Sequence, residues 1–547
     1  MSTITVFVAK KIITMNSYLA EATHVAVRDG RILGVGNLQQ MEQFGGYTLD
    51  KQFADKVLMP GFVEGHCHAK EGGIWEHAYV GFQDRYDPNG KLWRGADSFD
   101  AVIEVLTEAA KQLPDDGTPV FGWGFDPIYF GEERMSTEHV DRISSTRPVL
   151  ILHSNGHVLN VNSTILESAG IDADTDVAGV LKDASGNPTG ELAEMSAQYM
   201  AYRVADNPFL GGIDEPTMHG FAKSAVNCGV TMATDLFATF NDESLAAYHN
   251  ATVSADYPLR VLPAMNTLEG DAQTGIESVK NAMSGNHDKL HYGLCKIMTD
   301  GSIQGFSARM KWPGYHNGAA NGVWNMAPEQ LVALVDEYHQ AGLHLHIHTN
   351  GDEASELMID AIEAALLKNP RADHRHTLQH CQMADEAQFR RMAKLGICAN
   401  LFANHIYYWG DQHRDITMGP DRAARMDACQ TAKRHGVHFA IHSDAPVTPL
   451  GPLFTAWCAV NRRTESGAVL GENECISVDD ALYAITLGAA YTIRMDHLAG
   501  SIEPGKYADF AVLEQDPLSV APETLKDIGV WGTVVGGTPT RAAEKHS

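Results

Sequence analysis

"LHLHIHT" (343–349) opens the part of the sequence that decides the fold, because it begins a regular alternation of strand-like and helical segments. Short apolar runs alternate with stretches in which apolar residues recur at helical spacing. The later strand-like segments are "RHTLQHCQ" (375–382), "ICANLFA" (397–403) and "VHFAIHSD" (437–444); the helical ones are "DEASELMIDAIEAALLKN" (352–369), "DEAQFRRMAKLG" (385–396) and "DRAARMDACQTAKRHG" (421–436). Strands that alternate with helices predict a parallel sheet with right-handed crossovers. From this pattern alone, a closed (β/α)₈ barrel and an open doubly wound sheet are both possible.

The two ends of the chain have a different pattern. "HVAVRDGRILGVG" (24–36) predicts a hairpin that turns at Asp29–Gly30, while "KYADFAVL" (506–513) and "VWGTVVGGTPT" (530–540) predict strands with a turn at Gly536–Gly537. We therefore expect one small composite domain from residues 1–59 and 497–547, and a barrel domain from residues 60–496. Between about residues 70 and 290 the chain is longer than barrel units require, so we expect an inserted element there.

Composition and charge narrow the class of protein. The chain has 547 residues, 44% of them hydrophobic, and a formal net charge of −28. This negative charge disfavours binding to nucleic acid or to an anionic membrane surface, and no apolar run reaches the roughly 18 residues of a membrane span. Eight scattered cysteines without a CxxC pair fit a reducing compartment. We expect a soluble, cytoplasmic protein.

Polar side chains follow the predicted strands at the edge where barrel enzymes build their active sites. In "PGFVEGHCHA" (60–69), His66 and His68 share one strand face, and two convergent imidazoles suit a divalent ion. Four further candidates lie at the carboxyl ends of other predicted strands: Lys296, His348, His380 and Asp444. Six candidate ligands at one edge favour a metal site.

Each of these residues also has a purely structural interpretation. His66 and His68 are compatible with polar positions at a strand end, and Asp444 before Ala445–Pro446 with the start of a turn. Other such alternatives are a histidine series on one strand face (His344, His346, His348), a pair His376 and His380, a salt bridge from Lys296 to Asp300, and a helix cap at Asp352. The metal interpretation depends on the joint occurrence of the six.

The order and spacing of these motifs carry a family resemblance over nearly the whole chain. They are "PGFVEGHCH", "KIMTDGSIQGFSA", "HTNGD", "LQHCQ", "HSDAPV" and the terminal "GSIEPGKYADFAVL". The sequence resembles the metal-dependent amidohydrolase superfamily, in particular the branch that includes N-substituted formamide deformylase. The resemblance implies an α/β fold, a (β/α)₈ TIM barrel with a small composite β-sandwich from both termini.

The resemblance also implies a cofactor and its ligands. One or two divalent ions, usually zinc, would be bound by His66, His68, His348, His380 and Asp444. Lys296 lies where related enzymes carry an N6-carboxylated lysine that bridges two metals; carboxylation is required because an ammonium group cannot bind a cation. Two positions depart from the pattern: Glu64 replaces an aspartate, and His442, which shares strand parity with Asp444, replaces a small residue.

The implied reaction is hydrolysis of a carbon–nitrogen bond other than a peptide bond, in an amide, N-acyl or N-formyl compound of low molecular mass, by a metal-activated hydroxide. Asp444 would serve as base and then acid. His157 and His405 are candidates for polarising the carbonyl oxygen, and they would contact the substrate with Trp123 and Trp409. Core packing is the alternative for the aromatic residues.

Three alternatives stay open at this point: a mononuclear deaminase, a cyclic amidase of the same superfamily, and a non-catalytic binding protein on the same scaffold. Lys296 argues against the deaminase branch, which does not use such a lysine. The sequence determines neither the acyl and amine groups nor the metal, and a homodimer is one option for the assembly.

Overall fold

The structure is a computed structural model that describes residues 3–131, 133–205, 212–268 and 270–546. Its centre is an eight-stranded sheet in which every paired strand is parallel to its neighbours. In chain order, and in order across the sheet, the strands are Phe62–Glu64, Val230–Ala238, Arg260–Asn266, Leu294–Met298, His344–Thr349, Thr377–His380, Cys398–Leu401 and Phe439–Ile441. Below they are the first to the eighth strand.

The eight-stranded sheet is curled so that its two ends meet. Just beyond the first and eighth strands, the N–H of Asp444 donates to the carbonyl oxygen of His66 (3.2 Å) and the N–H of His68 donates to that of Ala445 (2.8 Å). Nearly every residue of the eight strands is buried, as expected where helices cover a parallel sheet. This is the α/β architecture of a TIM-barrel-like protein.

Helices connect and cover these strands. Between residues 215 and 492, in the part of the chain that also contains the second to the eighth strands, the α-helices are Glu215–Asn227, Asp242–Val253, Ala272–Ala282, Pro328–Gln340, Asp352–Lys368, Glu386–Leu395, Asn404–Gln412, Pro420–Ala423, Cys429–His435, Pro452–Asn461, Val478–Ala484 and Leu487–Thr492. A π-helical turn lies at His413–Thr417. The remaining α-helices are Leu38–Met41, Phe99–Gln112, Thr137–Asp141, Ser163–Ala169 and Glu194–Tyr202. The predicted helices at 352–369 and 385–396 are confirmed.

One helix prediction was wrong. The stretch 421–436 was expected to form a single helix, but the structure divides it into Pro420–Ala423 and Cys429–His435. Asp427 between them adopts a left-handed backbone (φ 46°), which an α-helix cannot contain. The second of these helices is capped by Gly436, whose φ of 76° is the left-handed conformation typical of a glycine cap.

Strands from both ends of the chain form one seven-stranded sheet. Across the sheet their order is Thr538–Arg541, Val530–Val535, Phe510–Leu513, Tyr47–Pro60, Ile4–Ile13, Glu21–Arg28 and Arg31–Gly36. The predicted hairpin turns are confirmed, since both Asp29–Gly30 and Gly536–Gly537 have positive φ between antiparallel strands. The strand Tyr47–Pro60 leads directly into the first strand of the central sheet.

A second accessory sheet lies between residues 78 and 193. Its order is Val180–Lys182, Pro188–Ala193, Val158–Val161, Val149–His153, Val120–Phe125 and Ala78–Tyr79, and a two-stranded ribbon is formed by Arg85–Tyr86 and Leu92–Trp93. This sheet carries His157, in the turn after Val149–His153, and Glu194, at the end of Pro188–Ala193. It thereby brings residues far from the central strands to the edge described next.

Candidate metal centre

His66, His68 and Asp444 converge at the carboxyl edge of the central sheet. Oδ1 of Asp444 lies 3.2 Å from Nε2 of His66 and 3.1 Å from Nε2 of His68. The three candidate ligand atoms all lie within 4.8 Å of one another. Although burial alone would raise it, the two neighbouring histidines hold the pKa of Asp444 well below its usual range. The carboxylate is therefore available as an anion.

Lys296 reaches the same point from the fourth strand. Its Nζ lies 3.3 Å from Nε2 of His66, and the side chain is fully buried. Burial lowers the pKa of Lys296 to about 7, against the opposing attraction of Asp444. An amine with this pKa is about half uncharged at neutral pH, and the uncharged form is the one that can react with carbon dioxide.

His348 and His380 are neighbours, and His380 faces the second carboxylate oxygen of Asp444. Their ring centroids are 4.5 Å apart, and Nδ1 of His380 is 3.9 Å from Oδ2 of Asp444. His380 has a left-handed backbone (φ 70°). Nε2 of His348 faces the carbonyl oxygen of Gly301 at 3.4 Å. In the described part of the chain, two groups of three residues have ligand atoms close enough to share one ion: His66, His68 and Asp444, and His66, His380 and His442. His348 belongs to neither group.

His442 belongs to the cluster as well. Its ring stacks on that of His66, with 4.5 Å between centroids and 14° between planes, and the centroid of His380 is 5.1 Å away. His66, His380 and His442 form a second group whose ligand atoms lie within 4.8 Å of one another. The sequence showed that His442 shares strand parity with Asp444, but it did not predict this proximity.

Gln379 was not identified from the sequence. Its Oε1 lies 2.7 Å from Nδ1 of His66 and accepts from Nδ2 of Asn400 at 3.0 Å, while its Nε2 lies 2.6 Å from Nδ1 of His346. With the amide oxygen turned to His66, Nδ1 of that ring carries the proton and Nε2 is free as a ligand. Strand alternation gave no signal, because Gln379 and His380 are adjacent.

Glu64 fixes the relative positions of the first and eighth strands. Its carboxyl group accepts from Oγ of Ser443 at 2.9 Å and from the backbone N–H of Ser443 at 3.3 Å. Burial raises the pKa of Glu64 to about 8, even though the bonds from Ser443 oppose this. Glu64 thus supports the site from behind, as a group that is largely protonated near neutral pH.

His157 approaches the cluster from the accessory sheet. Its ring centroid lies 5.4 Å from that of His348, and its Nδ1 is 2.9 Å from Oε2 of Glu194. Burial acts to lower the pKa of His157, but the Glu194 carboxylate outweighs it and raises the pKa above the usual value. His157 is therefore suited to donate a proton or a charged hydrogen bond.

His405 and Trp409 lie beside the cluster on one helix, with 4.4 Å between their ring centroids. Burial lowers the pKa of His405 well below its usual value, so this ring is neutral. Nε1 of Trp409 donates to Oδ2 of Asp126 at 2.9 Å. Trp123 packs against Trp75, with 4.9 Å between centroids, in a hydrophobic cluster of the accessory sheet.

A curled parallel sheet with imidazoles, a lysine and a carboxylate at its carboxyl edge defines a barrel-like protein with a candidate metal centre. The model of the amidohydrolase family matches residues 54–541. The chain belongs to the amidohydrolase family, and its class is that of the metal-dependent hydrolases.

Similar proteins support this assignment. The chain is 29% identical to the putative amidohydrolase YtcJ of Bacillus subtilis, over 94% of each chain. It is 26% identical to the N-substituted formamide deformylase of Arthrobacter pascens, also over 94% of each. A crystal structure of an uncharacterised metal-dependent hydrolase from Pyrococcus horikoshii OT3 superposes with a TM-score of 0.70 at 20% identity, covering 95% of this chain and 99% of the other.

The residues present fit the metal that this family implies. Imidazole nitrogen and carboxylate oxygen are ligands for zinc and similar divalent ions. Within the described ranges, Nδ1 of His380 and both ring nitrogens of His442 are buried without a hydrogen-bond partner. Buried polar atoms are rarely left unpaired, so these nitrogens favour an additional bound group.

None of the described helices has the length and apolar content needed to cross a bilayer.

Proposed function

We propose that this protein hydrolyses a carbon–nitrogen bond, other than a peptide bond, in an amide-like compound of low molecular mass. The observation that carries this proposal is the convergence of His66, His68 and Asp444 on one point, with Lys296 3.3 Å from His66. The similarity to an N-substituted formamide deformylase supports an N-formyl or N-acyl substrate. The catalytic residues in this proposal are Asp444, His157 and His405.

We infer that the site binds one or two divalent ions, with zinc the best match to the ligand types. His66, His68 and Asp444 would bind one ion, and His348 and His380 would bind a second. Lys296, once N6-carboxylated, would bridge them; its amine would add to carbon dioxide to form a carbamate and release a proton. The near-neutral pKa of Lys296 supports this modification.

A divalent ion held by these residues would lower the pKa of a water molecule bound to it and would polarise the scissile carbonyl. Asp444 is placed to take a proton from the attacking water with one carboxylate oxygen and to pass it to the leaving nitrogen. Proton delivery converts that nitrogen into a neutral amine, so the C–N bond breaks without forming an amide anion.

His157 and His405 would act on the substrate from two sides. A protonated His157, paired with Glu194, is suited to stabilise negative charge on the carbonyl oxygen. His405 is a neutral ring whose Nδ1 lies 2.9 Å from Nε2 of His413, which fixes its orientation. Trp409 and Trp123 would shape the pocket.

Several finer features belong to the same proposal. The eight-stranded sheet would close fully as a (β/α)₈ barrel within residues 60–496, with the insertion between about 70 and 290. Residues 1–59 and 497–547 would form a composite β-sandwich. We also propose that the enzyme is cytoplasmic and that it binds a substrate of low molecular mass, but neither nucleic acid nor a membrane. A homodimer is the assembly to test first.

The proposed function is tested by metal analysis coupled to a hydrolysis screen. Purified protein should contain one to two equivalents of divalent metal per chain and should hydrolyse at least one compound in a panel of N-formyl amines, N-acyl amino acids and cyclic amides. Chelation should abolish hydrolysis, and added metal should restore it. Absence of hydrolysis across the panel by fully metallated protein contradicts the proposal.

A mononuclear deaminase or cyclic amidase is the second candidate, because His66, His68 and Asp444 form a complete three-ligand group by themselves. Metal stoichiometry and one variant separate the two candidates. A content near one ion per chain, with Lys296→Ala still active, favours the mononuclear enzyme. A content near two, lost together with activity in that variant, favours the binuclear one.

A further inference from the structure

His442 lies deeper than any of the predicted ligands. It follows the eighth strand directly, and its side chain is completely buried. The ring stacks on His66 and also on Phe402, with 4.8 Å between centroids and 23° between planes in the second pair. This double stacking holds the plane of the ring, so the direction of its nitrogens is defined by packing.

The nitrogens of His442 have no hydrogen-bond partner in the described part of the chain. An imidazole needs one donor and one acceptor partner when it is neutral, and leaving a buried polar group unpaired costs about 1–3 kcal/mol. Among the buried histidines with unpaired ring nitrogens in the described part of the chain, His442 is the one for which both nitrogens are unpaired; Nδ1 of His346, by contrast, lies 2.6 Å from Nε2 of Gln379. The unpaired state of His442 therefore points to a bound group beside it.

The geometry identifies what that group would be. A nitrogen of His442 lies within 4.8 Å of ligand nitrogens on both His66 and His380. With metal–nitrogen bonds of about 2.0–2.1 Å, two ligands of one ion are at most about 4.2 Å apart, so a shift of some tenths of an ångström brings all three into reach. Because Gln379 occupies Nδ1 of His66, this residue offers only Nε2, and hence it binds only one ion.

We propose that His442 is a metal ligand: it binds, from inside the barrel, the same ion that Nε2 of His66 binds. This inference rests on the proposed function, since it requires the metal site, but it adds a ligand that the family pattern does not supply. In this arrangement His380 binds the ion at His66 instead of the second ion, so that ion has three imidazoles, His66, His380 and His442, in addition to the ligands at the mouth. An imidazole-rich set favours zinc, iron, cobalt or nickel over magnesium and calcium.

The test uses the full-length protein loaded with Co²⁺, whose visible absorption reports coordination. His442→Leu and His442→Gln are compared with wild type for the Co²⁺ spectrum and for affinity in chelator competition. Both variants lack the imidazole, and Gln keeps a polar group for a water molecule. We expect a changed spectrum and at least about a tenfold weaker affinity in both, since losing even an outer hydrogen-bond partner of a ligand costs about 10- to 100-fold.

The matched control is His376→Gln, which replaces a buried histidine at the opposite end of the central sheet; its spectrum and affinity should equal those of wild type. Circular dichroism selects the variants that fold. If either folded His442 variant keeps the wild-type spectrum and affinity, His442 is not a ligand and the inference is overturned, while the proposed hydrolase stands. If wild-type protein binds no divalent ion, the proposed function fails as well.

Discussion

Replacing Gln379 should weaken metal binding although its side chain is not a proposed ligand. Its Oε1, 2.7 Å from Nδ1 of His66, keeps the proton on that nitrogen and leaves Nε2 free for the ion. Gln379→Leu removes this acceptor, so His66 can adopt the tautomer that cannot bind. Outer partners of ligating histidines are worth about 10- to 100-fold in affinity, or about 1.4 to 2.8 kcal/mol.

A second substitution separates the hydrogen bond from the packing. Gln379→Glu keeps an oxygen next to His66, and its other oxygen would face Nδ1 of His346. His346 can respond by moving its proton to Nδ1, because its Nε2 has no hydrogen-bond partner among the described residues. We therefore expect Gln379→Glu to stay within about threefold of wild-type affinity, well above Gln379→Leu.

The assay is chelator competition for Zn²⁺ on folded protein, together with urea unfolding of the metal-free forms. Gln388→Leu is the matched control: Gln388 is also fully buried and donates to the carbonyl oxygen of Asp352 at 2.7 Å, away from the site. It should lose stability without losing metal affinity. Wild-type affinity in Gln379→Leu, or an equal loss in Gln379→Glu, would refute the tautomer argument.

Three further predictions follow from the same structure. Lys296→Ala should lower the metal content per chain, measured by elemental analysis, by at least about half. Short carboxylic acids that replace the missing carbamate should partly restore the metal content. Full metal content in the variant would argue against the bridging role of Lys296. Glu194→Gln removes the charge that raises the pKa of His157, so the alkaline limb of the kcat/KM pH profile should move to lower pH; an unmoved limb would remove His157 as the proton donor. Burial lowers the pKa of His344 to about 3, from about 6.5 when unfolded, so its contribution to stability is complete above pH 6.5 and is lost as the pH falls towards 3. Between pH 7.5 and 5, wild type should lose about 2 kcal/mol more unfolding free energy than His344→Gln, measured with urea; parallel losses would contradict a neutral buried ring.

The repeating part of the fold could be predicted because each buried parallel strand is a short apolar run and each covering helix has a 3.6-residue period. The same logic placed Lys296, His348, His380 and Asp444 at one edge, since parallel strands end together. The division of the helix at 421–436 was not predictable in this way, because it depends on the left-handed conformation of Asp427. Local periodicity does not report such single-residue conformations.

The supporting residues of the site were harder to predict for a related reason. His380 and Cys381 have positive φ, 70° and 49°, so the chain turns just where alternation would assign Gln379 to the opposite face. The pairing of His157 with Glu194 joins residues that are 37 positions apart. Contacts of this kind arise from the accessory sheet, whose strand order has no periodic signal in the sequence.

Anomalous X-ray scattering from crystals of the zinc-loaded protein tests the central claim most directly. The ligand set predicts an anomalous peak at the carboxyl edge of the central sheet, about 2.0–2.2 Å from Nε2 of His66, Nε2 of His68 and an oxygen of Asp444. A fully loaded crystal whose ion lies outside bonding distance of these three atoms would contradict it.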